Sequence, residues 1–154
     1  MPYWRLHYHL VWTTLERGRL IDPRRERLIT QILYRKARQL DLTLHATGGM
    51  EDHIHIVASV PPKIALAECL RQLKGASSYA VNQALGHQPK FEWQDGYGAL
   101  TLDSQSFPAV LAYVRNQRQH HRNGTTDTIL EQTTERAGPQ PLPAEPPESP
   151  FSGL

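Results

Sequence analysis

Residues 3–14 alternate: Leu6, Tyr8, Leu10 and Trp12 share one face, and Arg5, His7, His9 and Val11 share the other, which predicts a strand with one largely apolar face. The period then lengthens. Asp22-Pro23 supplies a capping carboxylate and a first-turn proline, and Leu28, Ile29, Ile32, Leu33, Ala37 and Leu40 recur at helical spacing to about Leu40. Leu42 and Leu44 alternate with Thr43 and His45 in a second strand running to Gly48. After Gly48-Gly49-Met50-Glu51-Asp52 comes the β-branched run His53–Val60, stopped by Pro61-Pro62. Leu66, Leu70, Leu73, Ala76, Ala80 and Ala84 predict a helix over 65–85, with Gly75 inside it and Gly86 ending it. Two short extended segments, 91–93 and 97–102, flank the turn signal Asp95-Gly96. From Ser104 or Ser106 to about Asn123, the stripe Phe107, Val110, Leu111 and Val114 predicts a third long helix. Residues 125–136 suggest a further short helix.

The predicted order is strand, helix, strand, strand, helix, short strands, helix. It indicates an α+β protein with the ferredoxin-like split βαββαβ arrangement: an antiparallel sheet with helices on one face, and an additional C-terminal helix. Ile54, Ile56 and Ala58 would meet the first two helices, while His53 and His55 would point to the open face, where the last helix or a partner subunit can cover them. We expect one domain over residues 1–125, then residues 126–154 as a short helix and a flexible, acidic, proline-rich tail.

Charge refines this. Residues 1–126 carry 16 Lys or Arg against 10 Asp or Glu, whereas residues 127–154 carry one against five. The folded part is therefore basic and arginine-rich, which suits a phosphate-bearing partner, and the tail has the wrong sign for DNA. Some of the three Trp and six Tyr are candidates for stacking on unpaired bases. No run approaches a membrane span and no secretory signal is evident, and the single Cys69 rules out an internal disulfide; a cytoplasmic protein, nucleoid-associated when on DNA, is expected.

Two imidazoles two residues apart on one strand face, His53 and His55, can share a metal ion, although a His-x-His pair is short and also suits a solvent-facing sheet. His7 and His9 repeat that geometry as a rival pair, for which sheet or DNA-facing roles are preferred. On the third helix, Tyr113, Gln117 and His121 follow at i, i+4, i+8, with Asn116 and His120 one step round. If His53, His55 and Gln117 hold one divalent ion, three neutral ligands leave its charge free to polarise a phosphodiester, and Tyr113 lies one helical turn away as a nucleophile. Taken singly, Tyr113 reads better as a packed tyrosine and Gln117 as a solvent residue; as a set with His53 and His55 the ion-site reading is preferred. Asp52 is a candidate to orient the ion site.

Five segments in this order carry a resemblance: Tyr8-His9-Leu10-Val11-Trp12-Thr13-Thr14, Met50-Glu51-Asp52-His53-Ile54-His55-Ile56, Leu73-Lys74-Gly75-Ala76-Ser77-Ser78, Trp93-Gln94-Asp95-Gly96-Tyr97 and Tyr113-Val114-Arg115-Asn116-Gln117. Over residues 3–123 the chain resembles the HUH (His-hydrophobic-His) one-tyrosine transposases of bacterial insertion sequences and their relatives associated with repeated palindromic elements. The resemblance implies metal ligation by His53, His55 and Gln117, with Mg or Mn as the ion. It implies attack by Tyr113 to give a 5′-phosphotyrosine and a free 3′-hydroxyl, on single-stranded DNA with hairpin structure. It further implies a homodimer, in some members with the tyrosine helix donated across subunits, and DNA contact near Leu73–Ser78, with Arg71, Lys74 and Ser78 as candidates. His120 and His121 depart from the family pattern; they line the ion site, touch DNA or simply end an amphipathic helix. Two other classes stay open: an inactive binder of structured single strands, and a metal-dependent phosphodiesterase that uses water.

Overall fold

The computed structural model describes residues 2–133. Its elements are β1 (His7–Thr13), α1 (Pro23–Gln39), β2 (Thr43–Gly49), β3 (His53–Ser59), α2 (Leu66–Leu85), β4 (Gly98–Leu102), α3 (Phe107–Arg115) and α4 (Gln117–Asn123). The four strands form one antiparallel sheet in the order β2-β3-β1-β4, the arrangement the sequence order predicts.

β3 sits inside the sheet and all seven of its residues are buried, because each face of the sheet is covered by a different layer. On one side Leu10, Trp12, Ile54, Ile56 and Ala58 pack with Ile29, Leu33 and Ala37 of α1 and Cys69, Leu70, Leu73 and Val81 of α2. Full burial of each large apolar side chain contributes about 1.5–3 kcal/mol, so this layer dominates stability. α1 begins as expected: Asp22 Oδ1 accepts from the Arg25 backbone N–H at 2.8 Å and Pro23 occupies the first turn. On the other side a smaller cluster, Ala46, Val57, Leu102 and Val114 with Phe107, Val110 and Leu111, fastens α3 to the sheet. That second layer roofs the histidine face of β3. Among the described residues no helix is long and apolar enough to cross a membrane.

Three local expectations change. The predicted third helix is two helices, broken at Asn116, whose backbone (φ −106°, ψ 26°) leaves the helical region. Of the segment 91–93, Trp93 alone forms a bridge, an isolated antiparallel one to Thr14 just after β1. Residues 125–133 run back over the sheet with a turn at 128–131 and Leu130 buried, in place of the start of a short helix. The remainder of the predicted tail, 134–154, lies outside the described residues.

Candidate active site

The site forms where β3 starts and α3 passes to α4. The turn before β3 is held by Thr14, whose backbone N–H donates to the Asp52 carbonyl at 2.9 Å, so the first histidine enters the strand at a fixed position. Gly48 on β2 admits the helix junction: a Cβ there would overlap the Val114 carbonyl. The break at Asn116 then turns Gln117 inward until it is 1% exposed, beside His53. Tyr113, 8% exposed, comes from the preceding turn of α3.

His53 and His55 both direct Nε2 into one space. His53 Nδ1 lies 2.7 Å from Asp52 Oδ1; a carboxylate accepts, so the neutral ring carries its proton on Nδ1 and shows a lone pair at Nε2. That lone pair faces two further acceptors, Gln117 Oε1 at 3.4 Å and Glu131 Oε2 at 3.3 Å, while Gln117 Nε2 is buried without a partner. Acceptors facing acceptors is an arrangement a cation satisfies. His53, His55 and Glu131 offer ligand atoms all within 4.8 Å of one another. Two imidazoles, an amide oxygen and a carboxylate thus fit a divalent ion.

Glu131 links this space to the tyrosine. Its Oε2 is 3.0 Å from His55 Nε2, and its Oε1 accepts from the Tyr113 hydroxyl at 2.6 Å. The phenol oxygen in turn accepts the Asp127 backbone N–H at 2.9 Å. Burial, reinforced by the Glu131 carboxylate, pushes Tyr113 up to about 12. Burial would also raise Glu131, but the hydrogen bonds from His55 and Tyr113 outweigh it and hold the carboxyl down at about 2. Burial lowers His55, favouring its neutral ring, and the hydrogen bond with His53 lowers Asp52.

The expected residues distribute unevenly. His53, His55, Tyr113, Gln117 and Asp52 converge. His121 joins them, its ring 5.0 Å from that of His53, and His120 stacks on Tyr113 at 4.5 Å. Asn116 is exposed and serves as the helix junction. Arg71, Lys74 and Ser78 belong to α2, which covers the other sheet face. Arg71 pairs with Glu68, while Lys74 and Ser78 line an open groove of about 400 Å³ beside Trp93 and Gln94. His7 takes no part in the ion site; its Nδ1 meets Ser59 Oγ at 2.7 Å, and Ser59 also meets His45 Nε2 at 2.6 Å. Two members escaped the sequence reading: Glu131, an isolated acid with no spacing signal, and His9 as a partner of His55, which the antiparallel register alone reveals.

Residues 2–117 match the family described as "Transposase IS200 like". The chain belongs to this IS200-like transposase family. Its similarity to curated members is modest in identity and broad in coverage. The transposase for insertion sequence element IS200 of Salmonella typhimurium is 22% identical over 126 residues, 79% of this chain and 82% of the relative. The ISDra2 transposase TnpA of Deinococcus radiodurans is 25% identical over 122 residues, covering 74% and 85%. A crystal structure described as a transposase from Deinococcus radiodurans superposes with a TM-score of 0.62 at 28% identity, over 76% of this chain and 95% of that one. The structure of a REP-associated tyrosine transposase bound to a REP hairpin shares the fold, with a TM-score of 0.60 at 11% identity over 82% and 76%. The IS200-like transposase is therefore an enzyme by family.

Proposed function

We propose that this IS200-like transposase cleaves and rejoins hairpin-bearing single-stranded DNA through a 5′-phosphotyrosine on Tyr113. In this reading Mg or Mn is held by His53, His55 and Gln117, with Glu131 as an added carboxylate ligand. The observation that carries the proposal is the reach of the Glu131 carboxylate: one small anion touches the Tyr113 hydroxyl through one oxygen and both imidazole Nε2 atoms through the other. A phosphodiester in that place would meet the same phenol and the same ligand set. The choice of substrate is supported by the REP-associated tyrosine transposase of the same fold, which was solved bound to a REP hairpin.

In cleavage the Tyr113 oxygen bonds to phosphorus and gives its proton to solvent, while the P–O3′ bond breaks and the departing O3′ takes a proton from solvent to become a 3′-hydroxyl. In joining, a different 3′-hydroxyl attacks the phosphotyrosine and the phenol leaves, so the bond energy is conserved and no water or nucleotide is consumed. A bound ion would polarise the phosphate oxygens and offset developing charge. The chain supplies the rest. Asp127 N–H steadies negative charge on the phenol oxygen, His120 stacking fixes the ring, and Asp52 orients His53. Raised to about 12, chiefly by burial, the Tyr113 hydroxyl keeps its proton in the resting site.

Incubating a labelled hairpin with the protein and Mn tests this. The wild type should give an SDS-stable protein–DNA adduct, and Tyr113→Phe should bind the hairpin but give none. An undiminished adduct with Tyr113→Phe, or cleavage with water-derived oxygen in the product, would overturn the proposal.

A further inference from the structure

The two imidazoles of the site are held at Nδ1 by different kinds of partner. For His53 the partner is a carboxylate, which fixes the ring proton on Nδ1 in every state. For His55 it is a third imidazole: His55 Nδ1 lies 2.8 Å from His9 Nε2, and both rings are fully buried. An imidazole nitrogen either donates or accepts, so this bond has two possible directions.

Glu131 selects one of them. Its Oε2, an obligate acceptor, is 3.0 Å from His55 Nε2, so the neutral His55 ring carries its proton on Nε2 and leaves Nδ1 bare. His9 must then donate through Nε2–H. Its own Nδ1, buried with no partner, is left as a bare acceptor, which costs less than an unpaired buried N–H. Burial keeps His9 neutral, lowering it to about 3. In this tautomer His55 has no Nε2 lone pair to give to an ion.

We infer that His9 is a positioning residue that sets the ring tautomer of His55, and that ion binding reverses the direction of the His9–His55 hydrogen bond. The inference rests on the ion-site reading above. When Nε2 of His55 becomes a ligand atom, the proton of His9 Nε2 passes to His55 Nδ1. The former Nε2 proton of His55 goes to solvent, and His9 gains one on Nδ1. Both rings stay neutral and the proton count is unchanged, and ion binding has to outweigh the unpaired N–H then left at the buried His9 Nδ1. The reversal explains why the position carries a histidine. An aspartate would lock the metal-ready tautomer of His55, but it would bury a further negative charge near Glu131. An apolar side chain could neither give nor take the proton.

Nitrogen-detected NMR of the histidine side chains, at neutral pH with and without saturating Mg, reads the tautomers directly. Without ion, His53 should carry Nδ1–H and His55 Nε2–H; with Mg, His55 should switch to Nδ1–H and His9 from Nε2–H to Nδ1–H. His9→Leu should weaken Mn binding by roughly 10–100-fold, the range for a lost ligand orienter. His9→Gln, whose amide can donate or accept, should stay within about threefold of wild type. A metal-free His55 already protonated at Nδ1, an unchanged His9–His55 bond in the Mg-saturated protein, or wild-type Mn affinity in folded His9→Leu would overturn the inference. Failure of the wild type to bind Mg or Mn would count against the ion-site reading. In that case the metal-free tautomers would still decide whether His9 is the donor.

Discussion

Ser59 shows how finely single residues are set on the roofed histidine face of β3. Its one hydroxyl proton can go to only one of His7 Nδ1 and His45 Nε2, at 2.7 and 2.6 Å, so it donates to one ring and accepts from the other. Ser59→Ala leaves two half-buried ring nitrogens unpaired and should cost about 1–3 kcal/mol in urea unfolding. It should leave Mn affinity unchanged, because the Val57 layer lies between Ser59 and the candidate ion site. Glu131→Gln has the opposite profile. It keeps the shape but removes the negative ligand that suits a hard cation, so Mn affinity by calorimetry should drop roughly tenfold or more. The Tyr113 hydroxyl, relieved of a neighbouring negative charge, should titrate below its present value of about 12.

The helix break is the element that makes the site. Gly48 lets the Val114 carbonyl close on β2, and Asn116 redirects α4 so that Gln117 reaches His53. Gly48→Ala should push α3 off the sheet, lower stability by about 1–3 kcal/mol from overpacking, and reduce adduct formation more than hairpin binding. The strand contribution was legible in the sequence because a period of two assigns faces unambiguously: once His53–Val60 is a strand, His53 and His55 must share a side. The helix contribution was half legible. Tyr113 and Gln117 sit four apart, which placed them together, but no proline or glycine marks Asn116 and so nothing disclosed the break. Glu131 was illegible because its place depends on a chain reversal after α4, held by long-range contacts such as Asp127 N–H to the Tyr113 oxygen. His9 was visible as a candidate and assigned to the right face of β1. Its partnership with His55 needed the pairing register, in which Val11 lies opposite His55 and His9 opposite Val57.

At the scale of the whole molecule, the tyrosine, the two histidines and the glutamine meet within one chain. Mixing Tyr113→Phe with His55→Ala protein should therefore recover no adduct; recovery would place the nucleophile of one subunit in the ion site of another. Buried histidine also shapes the acid stability of the fold. His9 binds its proton at about 3 when folded and near 6.5 when unfolded, so between these values the unfolded chain holds more protons and stability rises with pH. On acidification from pH 6.5, stability should fall by up to about 1.4 kcal/mol per unit from this group, and urea midpoints of His9→Gln should fall less steeply. The central claim is that Tyr113 carries the DNA phosphate while the paired histidines serve the ion. Mass spectrometry of the protease-digested adduct, formed on a hairpin with Mn, tests it most directly. The account predicts nucleotide mass on the peptide containing Tyr113 in the wild type, and no adduct from His55→Ala. Nucleotide mass on any other residue, or an undiminished Tyr113 adduct in His55→Ala, would contradict it.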